Sequence, residues 1–251
     1  MFDIIVKFFD RDPLRRSGRI VASSDRAGVG TSEKRTRWSV GRTRRDTQRE
    51  RTRAALVSAA QRMLADGRTA ASVQEVTRMA DVGHGSFYNH FATKDALFTA
   101  AIEEALEDWA RLRDAAVGGI DDPALAFATS FRMTGRLQRR HPDLVRVLLS
   151  AGASILVSER GLRADAKADI ARGIDSGQFS IPDAESGLML TGGILLGLLQ
   201  MLDADPRSDA EAAADEMAQR ALMALGVTEV EASEMARSAL PPFPDLVVSH
   251  N

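Results

Sequence analysis

The chain has 251 residues, 44% of them hydrophobic and 27% charged, so most of it can bury a core and it is not a disordered chain throughout. Aromatic residues make up only 5% and cysteine is absent; alanine and leucine must do most of the packing, which favours helices, and disulfides, thiolate metal sites and cysteine nucleophiles are excluded. The net charge of −2 conceals a division, with fifteen Lys and Arg against seven Asp and Glu in residues 1–53 and an acidic excess in the remainder, which suits one end of the chain to polyanions.

Met1–Phe9 is apolar but broken by Asp3 and Lys7, and no small-residue cleavage site follows it, so it does not read as an export signal. Residues 10–45 mix Arg, Ser, Gly, Thr and Asp without an apolar period. Residues 1–45 are therefore expected to form a flexible basic arm, able to track DNA phosphates or simply solvated. Gly28-Val29-Gly30 has no preceding strand and is not a nucleotide site.

From Arg49 a helical period begins, with Leu56, Ala59, Ala60, Met63 and Leu64 on one face and a stop at Asp66-Gly67. Ser72-Val73-Gln74-Glu75 has the form of a capping box, opening a short helix with Val73, Val76 and Ala80 inward. Asp81-Val82-Gly83 forms a turn, and a second short helix is expected over about His84–Phe91. Two short helices across a three-residue turn make a helix-turn-helix. Phe87 and Phe91, four residues apart, would anchor the second helix and leave Tyr88, Asn89 and His90 outward, with His84 and Ser86 at its start. Hydroxyl, amide and imidazole groups on one open face can read base edges and phosphates. Thr93 caps a long helix from Lys94 to about Val117, whose inward stripe is Leu97, Phe98, Ala101, Ala105, Trp109 and Leu112.

Further helices are expected over Pro123–His141, Pro142–Gly152, Arg160–Ser176, Pro182–Leu202, Ser208–Leu225 and Glu229–Leu240, before Pro241, Pro242 and Pro244 end regular structure. Gly187–Leu202 is uncharged for sixteen residues, shorter than the ~20 a bilayer crossing needs. No membrane segment is therefore expected, and the cytoplasm is the default location. The fold class is all-α.

Tyr88, His90, Phe91, Lys94 and Leu97 spell Tyr-x-His-Phe-x-x-Lys-x-x-Leu, and with the helix-turn-helix before it this stretch resembles the DNA-binding domain of TetR-family regulators. The resemblance covers residues 47–97. Asp81 stands where the family commonly has a turn glycine and Gly83 where it commonly has a serine cap; Asp tolerates left-handed backbone and Gly is an acceptable cap, so the fold assignment stands. The implied organisation is a helix-turn-helix domain over 46–97, a helical ligand-binding and dimerisation domain over 98–227, and a C-terminal helix with a Pro-rich tail over 228–251.

By this resemblance His84, Gly85, Ser86 and Asn89 approach bases, Tyr88, His90 and Lys94 hold the backbone, and Val73 and Gln74 contact phosphate or an adjacent base. Arg49, Arg51 and Arg53 are phosphate contacts on charge grounds. The resemblance also implies a homodimer on a near-palindromic double-stranded DNA operator, with Gly193, Gly197, Leu198, Met217 and Leu222 at the interface. A small, largely apolar effector would be enclosed by Phe127, Phe131, Met133, Leu137, Leu148, Met189 and Leu195, and would release a repressor. Arg132, Arg136 and Arg139 share one face, read as solvated or, alternatively, as meeting an anionic ligand. His84, His90, His141 and His250 lack metal-ligand spacing and no nucleophile motif is present, so no metal, cofactor or catalytic residue is expected. Two other readings are a sequence-tolerant DNA-compacting protein and a helical enzyme or carrier that merely retains the head.

Overall fold

A computed structural model describes residues 44–157 and 162–243. Most of the expected arm, the start of the helix expected from Arg160, and Pro244 lie outside the described residues. The chain divides into two units after Arg49. Of the first unit, residues 44–49 are described; they are helical and all but Thr47 are exposed.

The described elements are helices: α1 (Arg44–Ala65), α2 (Val73–Met79), α3 (His84–Tyr88), α4 (Lys94–Val117), α5 (Pro123–Arg140), α6 (Pro142–Ala151), α7 (Ser154–Val157), α8 (Leu162–Asp175), α9 (Ala184–Ala204), α10 (Ala210–Ala224) and α11 (Glu229–Arg237). No strand occurs among the described residues. The chain is an N-terminal helix-turn-helix followed by a helical domain. Three ends differ from the pattern in the sequence. Helix α1 starts five residues before Arg49. Helix α3 stops at Tyr88, three residues before the anchoring Phe91. The short α7 follows Gly152, whose φ of 57° breaks α6.

The first core joins the buried face of α1 (Leu56, Val57, Ala59, Ala60, Met63, Leu64) to Val76, Phe87, Phe91 and the first half of α4. Val147 and Leu148 of α6 are part of the same cluster, so apolar surface from the second half of the chain completes it. Gly67, at φ 71°, turns the chain out of α1, and the Arg68 amide donates to the Met63 carbonyl at 2.7 Å, a glycine-terminated helix end.

Helix α5 is the axis of the second domain. Asp122 caps it by accepting from the Leu125 amide at 3.0 Å, and Pro123 occupies its first turn. Eleven of its residues are buried, from Ala124 to Gln138 and on all sides. It packs on α4, α6, α8, α9, α10 and α11. A Cβ on Gly135 would lie 2.6 Å from the Ala214 Cβ, so α5 and α10 touch nearly backbone to backbone. Ala210, Ala214, Ala218 and Ala221 give α10 the shallow face this approach needs.

Burial on every side brings arginines inside. Arg132 is 4% exposed; its Nε donates to Asp215 Oδ1 at 2.8 Å and its Nη1 to the Ser238 carbonyl at 2.8 Å. Arg136 Nη1 donates to the same Asp215 oxygen at 2.7 Å. Arg139 donates to the carbonyls of Leu202, Asp205 and Ser208, closing the open C-terminal end of α9. The expectation of a solvated or ligand-binding arginine face is thereby corrected for Arg132 and Arg136, which tie α5 to α10 and the end of α11; Arg139 stays exposed while its guanidinium reaches the end of α9. The reason is geometric: from Ala124 to Gln138 the helix is enclosed and has no solvent face to offer, and it opens to solvent at Arg139 and Arg140. Helix α9 is long and apolar enough to cross a bilayer by length and composition, and here it packs against α5, α8 and α10.

Burial works to raise the Asp215 carboxyl, but hydrogen bonds from Arg136 and Arg132 outweigh it and hold the group below the usual aspartate range. Asp215→Asn leaves a buried guanidinium without its counter-charge and is expected to cost about 3 kcal/mol in urea unfolding at neutral pH. Because the folded-state value is the depressed one, the stabilisation is complete above the unfolded aspartate range. It fades as pH falls towards the folded value, so the gap between wild type and variant should narrow on acidification.

Candidate nucleic-acid interface

The reading head is built from the loop before α2 onwards. The Glu75 amide donates to Ser72 Oγ at 3.3 Å and the Ser72 amide to Glu75 Oε2 at 2.8 Å, the reciprocal pair of a capping box. The Ser72 backbone N–H, then its hydroxyl, hold the Glu75 carboxyl below the usual glutamate range. Arg68 Nη2 meets Glu75 Oε1 at 2.9 Å, tying the end of α1 to the start of α2. Gln74 is exposed there and Val73 half-buried.

Between α2 and α3 Asp81 has φ 53°, a left-handed conformation alone in that region among the described non-glycine residues. Aspartate is among the few side chains that enter it at modest cost. The Val82 amide donates to the Thr77 carbonyl at 3.0 Å across the turn. Gly83 starts α3 from extended backbone without a side-chain cap. Helix α3 is then pinned from beneath: Phe87 is 0% and Phe91 7% exposed, with ring centroids 6.1 Å apart.

On the opposite face His84, Gly85, Tyr88 and Asn89 are exposed, with Ser86 and His90 half-buried. Tyr88 is 58% exposed. Its ring stands edge-on to Phe87 at 5.2 Å and to His84 at 5.7 Å, so packing at its base sets the direction of an open side chain.

The flanking cations are more engaged than sequence suggested. Lys94 Nζ lies 3.4 Å from the Thr69 carbonyl and 5.7 Å from the Phe98 ring centre, linking the start of α4 to the α1–α2 loop. Arg53 pairs with Glu104 at 3.5 Å and lies over the Phe91 ring at 5.6 Å. Arg51 is exposed on α1, and Arg49, in the first unit, is exposed too.

The sequence of residues 56–101 matches bacterial regulatory proteins of the tetR family, and residues 122–238 match the tetracyclin repressor-like C-terminal domain. The chain belongs to the TetR family. Among solved structures similar to this TetR-family chain is RolR in complex with the ligand resorcinol. It is 31% identical over 79% of this chain and 99% of its own, with a TM-score of 0.64. SmeT, the repressor of the Stenotrophomonas maltophilia multidrug efflux pump SmeDEF, is 16% identical over 68% of this chain and 89% of its own, at TM-score 0.57. FadR, a fatty acid degradation regulator from Bacillus halodurans, is 15% identical over 67% and 96%, at 0.57. The last two show a shared fold. No curated protein sequence matches.

The residues expected around an effector are dispersed through the TetR-type body. Met133 and Leu137 belong to one cluster, with Leu195 packed against it, and Phe131 to another. Met189 packs against a third cluster, Phe127 bridges it to the Phe131 cluster, and Leu148 joins the core of the head. Of the expected interface residues Gly193 and Gly197 are exposed, with open space where a Cβ would stand. Leu198 is 3% and Leu222 0% exposed inside the subunit's own cores, and Met217 packs against the Leu198 cluster. Both leucines therefore serve intrachain packing: Leu198 is turned inward by the rotation of α9 that puts the glycines out, and Leu222 lies on the buried face of α10. A charged cleft between α4 and α8 was missed; its one sequence signal is Arg113, a charge four residues after Trp109 on the inward stripe of α4.

Tyr88→Ala removes an exposed side chain and is expected to leave stability within about 1 kcal/mol, while lowering affinity for DNA selected by the wild-type protein about tenfold or more in fluorescence anisotropy. Lys94→Ala should lower both, because its ammonium also bridges to Thr69.

Proposed function

We propose that this TetR-family protein is a cytoplasmic homodimeric repressor that binds a near-palindromic operator and is released from it by a small-molecule effector. The observation that carries the reading is the short α3 with Phe87 buried beneath it and Tyr88 and Asn89 open above. Such a helix is sized for the major groove, and its polar groups can donate and accept at base edges. His84, Gly85, Ser86 and Asn89 would reach bases, with Tyr88, His90 and Lys94 on the phosphates, flanked by Val73, Gln74, Arg51 and Arg53; Arg49 would be a further phosphate contact by its charge.

Dimerisation is supported by α9. Leu190 and Met201 are 45% and 47% exposed, and Gly193 and Gly197 lie between them on the same open face. An apolar stripe with two glycines lets a second helix approach closely, and a two-fold pairing of this face would present two α3 helices to successive turns of DNA, about 34 Å apart. Ligand release rests on likeness to RolR, described with resorcinol; the effector proposed here is likewise small and largely apolar. A hundredfold loss of operator affinity asks for about 2.7 kcal/mol of differential binding between the two conformations, an ordinary allosteric magnitude.

Gly197→Glu places a charge on the open face where the subunit itself has room. Sedimentation equilibrium should show the mass halved, with operator affinity reduced at least tenfold and the melting of the isolated subunit preserved. A dimer unaffected by this change would overturn the assignment of the face.

A further inference from the structure

A cleft of about 350 Å³ opens where the last turns of α4 meet the start of α5 and the face of α8. Its volume lies at the lower end of small-molecule sites, about 300–1,000 Å³. One wall is apolar, formed by Val117, Ile120 and Ala126; the other is charged, formed by Arg113, Asp165 and Asp169. The Arg113 side chain is 9% exposed. Its hydrogen bonds go to its neighbour Asp114, from Nε at 3.1 Å and Nη2 at 2.7 Å. Across the cleft it stands 3.5 Å from Asp169 Oδ2 and 3.7 Å from Asp165 Oδ2, longer than the ~2.8 Å of a formed charge-assisted bond. Arg172 holds the other Asp169 oxygen at 2.7 Å. A buried guanidinium is thus drawn towards two carboxylates on the facing helix without closing on them.

We propose that this cleft is the effector site and that it takes a neutral ring carrying hydroxyl groups. The inference rests on the ligand-release reading above and deepens it by naming the ligand class. Asp114, Asp165 and Asp169 outnumber Arg113 and Arg172, so an anion is disfavoured. Carboxylates ask for donors, and the apolar wall asks for a hydrocarbon body. A hydroxyl beside the Arg113–Asp169 pair donates to Oδ2 and accepts from Nη1, closing the gap between α4 and α8. Helix α4 begins at Lys94, next to the DNA-reading segment, and runs to this cleft, so occupancy acts on the same rigid rod that carries the head.

The test uses the full-length protein without DNA, titrated calorimetrically with resorcinol, catechol and benzoate, in wild type, Asp169→Asn and Ala168→Trp; the second variant fills the cleft without changing its charge. In a Trp38→Phe background, with and without Asp169→Asn, the fluorescence of Trp109, one turn before Arg113, is a parallel readout. Expected are saturable binding of a diol, benzoate binding more weakly, and about a tenfold or greater loss of diol affinity in each variant. No saturable diol binding, affinity unchanged in both variants, or a preference for benzoate overturns the proposal. The same ligands are then added to the protein–operator complex. Diol binding of the expected pattern with operator affinity unchanged upholds the cleft's chemistry and overturns the ligand-release reading; loss of operator affinity supports both.

Discussion

A helix buried on all sides is a demanding element, and the body of this protein is arranged around one. From Ala124 to Gln138 helix α5 has neighbours in every direction, so each side chain there must either pack or be satisfied internally. Gly135 against Ala214 lets α10 come close enough to seal one flank. Where α5 carries arginines, the enclosing helices supply Asp215 and a set of carbonyls, and no buried side-chain polar atom among the described residues lacks a partner. An unpaired guanidinium at that depth would be intolerable, so Asp215 and the chain ends around α9 and α11 are constrained by what α5 carries.

The head was legible in the sequence because each of its devices is local. A capping box spans four residues, a turn three, and an anchoring phenylalanine pair five; propensity and pattern agree at every step. Asp81 illustrates this well. Its left-handed φ of 53° is what a turn of this length requires, and a residue tolerant of it stands there. The end of α3 was misjudged because the Phe87–Phe91 spacing looks helical, whereas Phe91 reaches the same core from the bend that follows Tyr88.

The body was legible as helices and poorly legible as a site. Periodicity says which face of a helix is apolar; it does not say which helix meets that face. Arg132, Arg136 and Arg139 fall at helical spacing whether they face water or a neighbouring carboxylate, and Asp215, nearly eighty residues from Arg136, has no sequence mark linking it to them. The same holds for Leu198 and Leu222, whose apolar character suited an interface and a core equally well. In α9 the glycines were informative because they are conspicuous; the rotation that turns them outward and Leu198 inward was not. Arg113 alone left a trace, as a charge on an otherwise apolar stripe.

The core beneath the DNA-reading helices draws Val147 and Leu148 from α6, far along the chain. The head is consequently not a cassette that can be cut out and grafted. Chimeras joining it to a foreign sensor would carry an apolar wound where those two side chains belong, unless the donor body presented a similarly shaped pair. Exchange of parts among relatives should succeed along seams that keep α6 with the head it completes, and a sensor evolving towards a new ligand must hold that shared surface fixed as well as its own buried ion pairs.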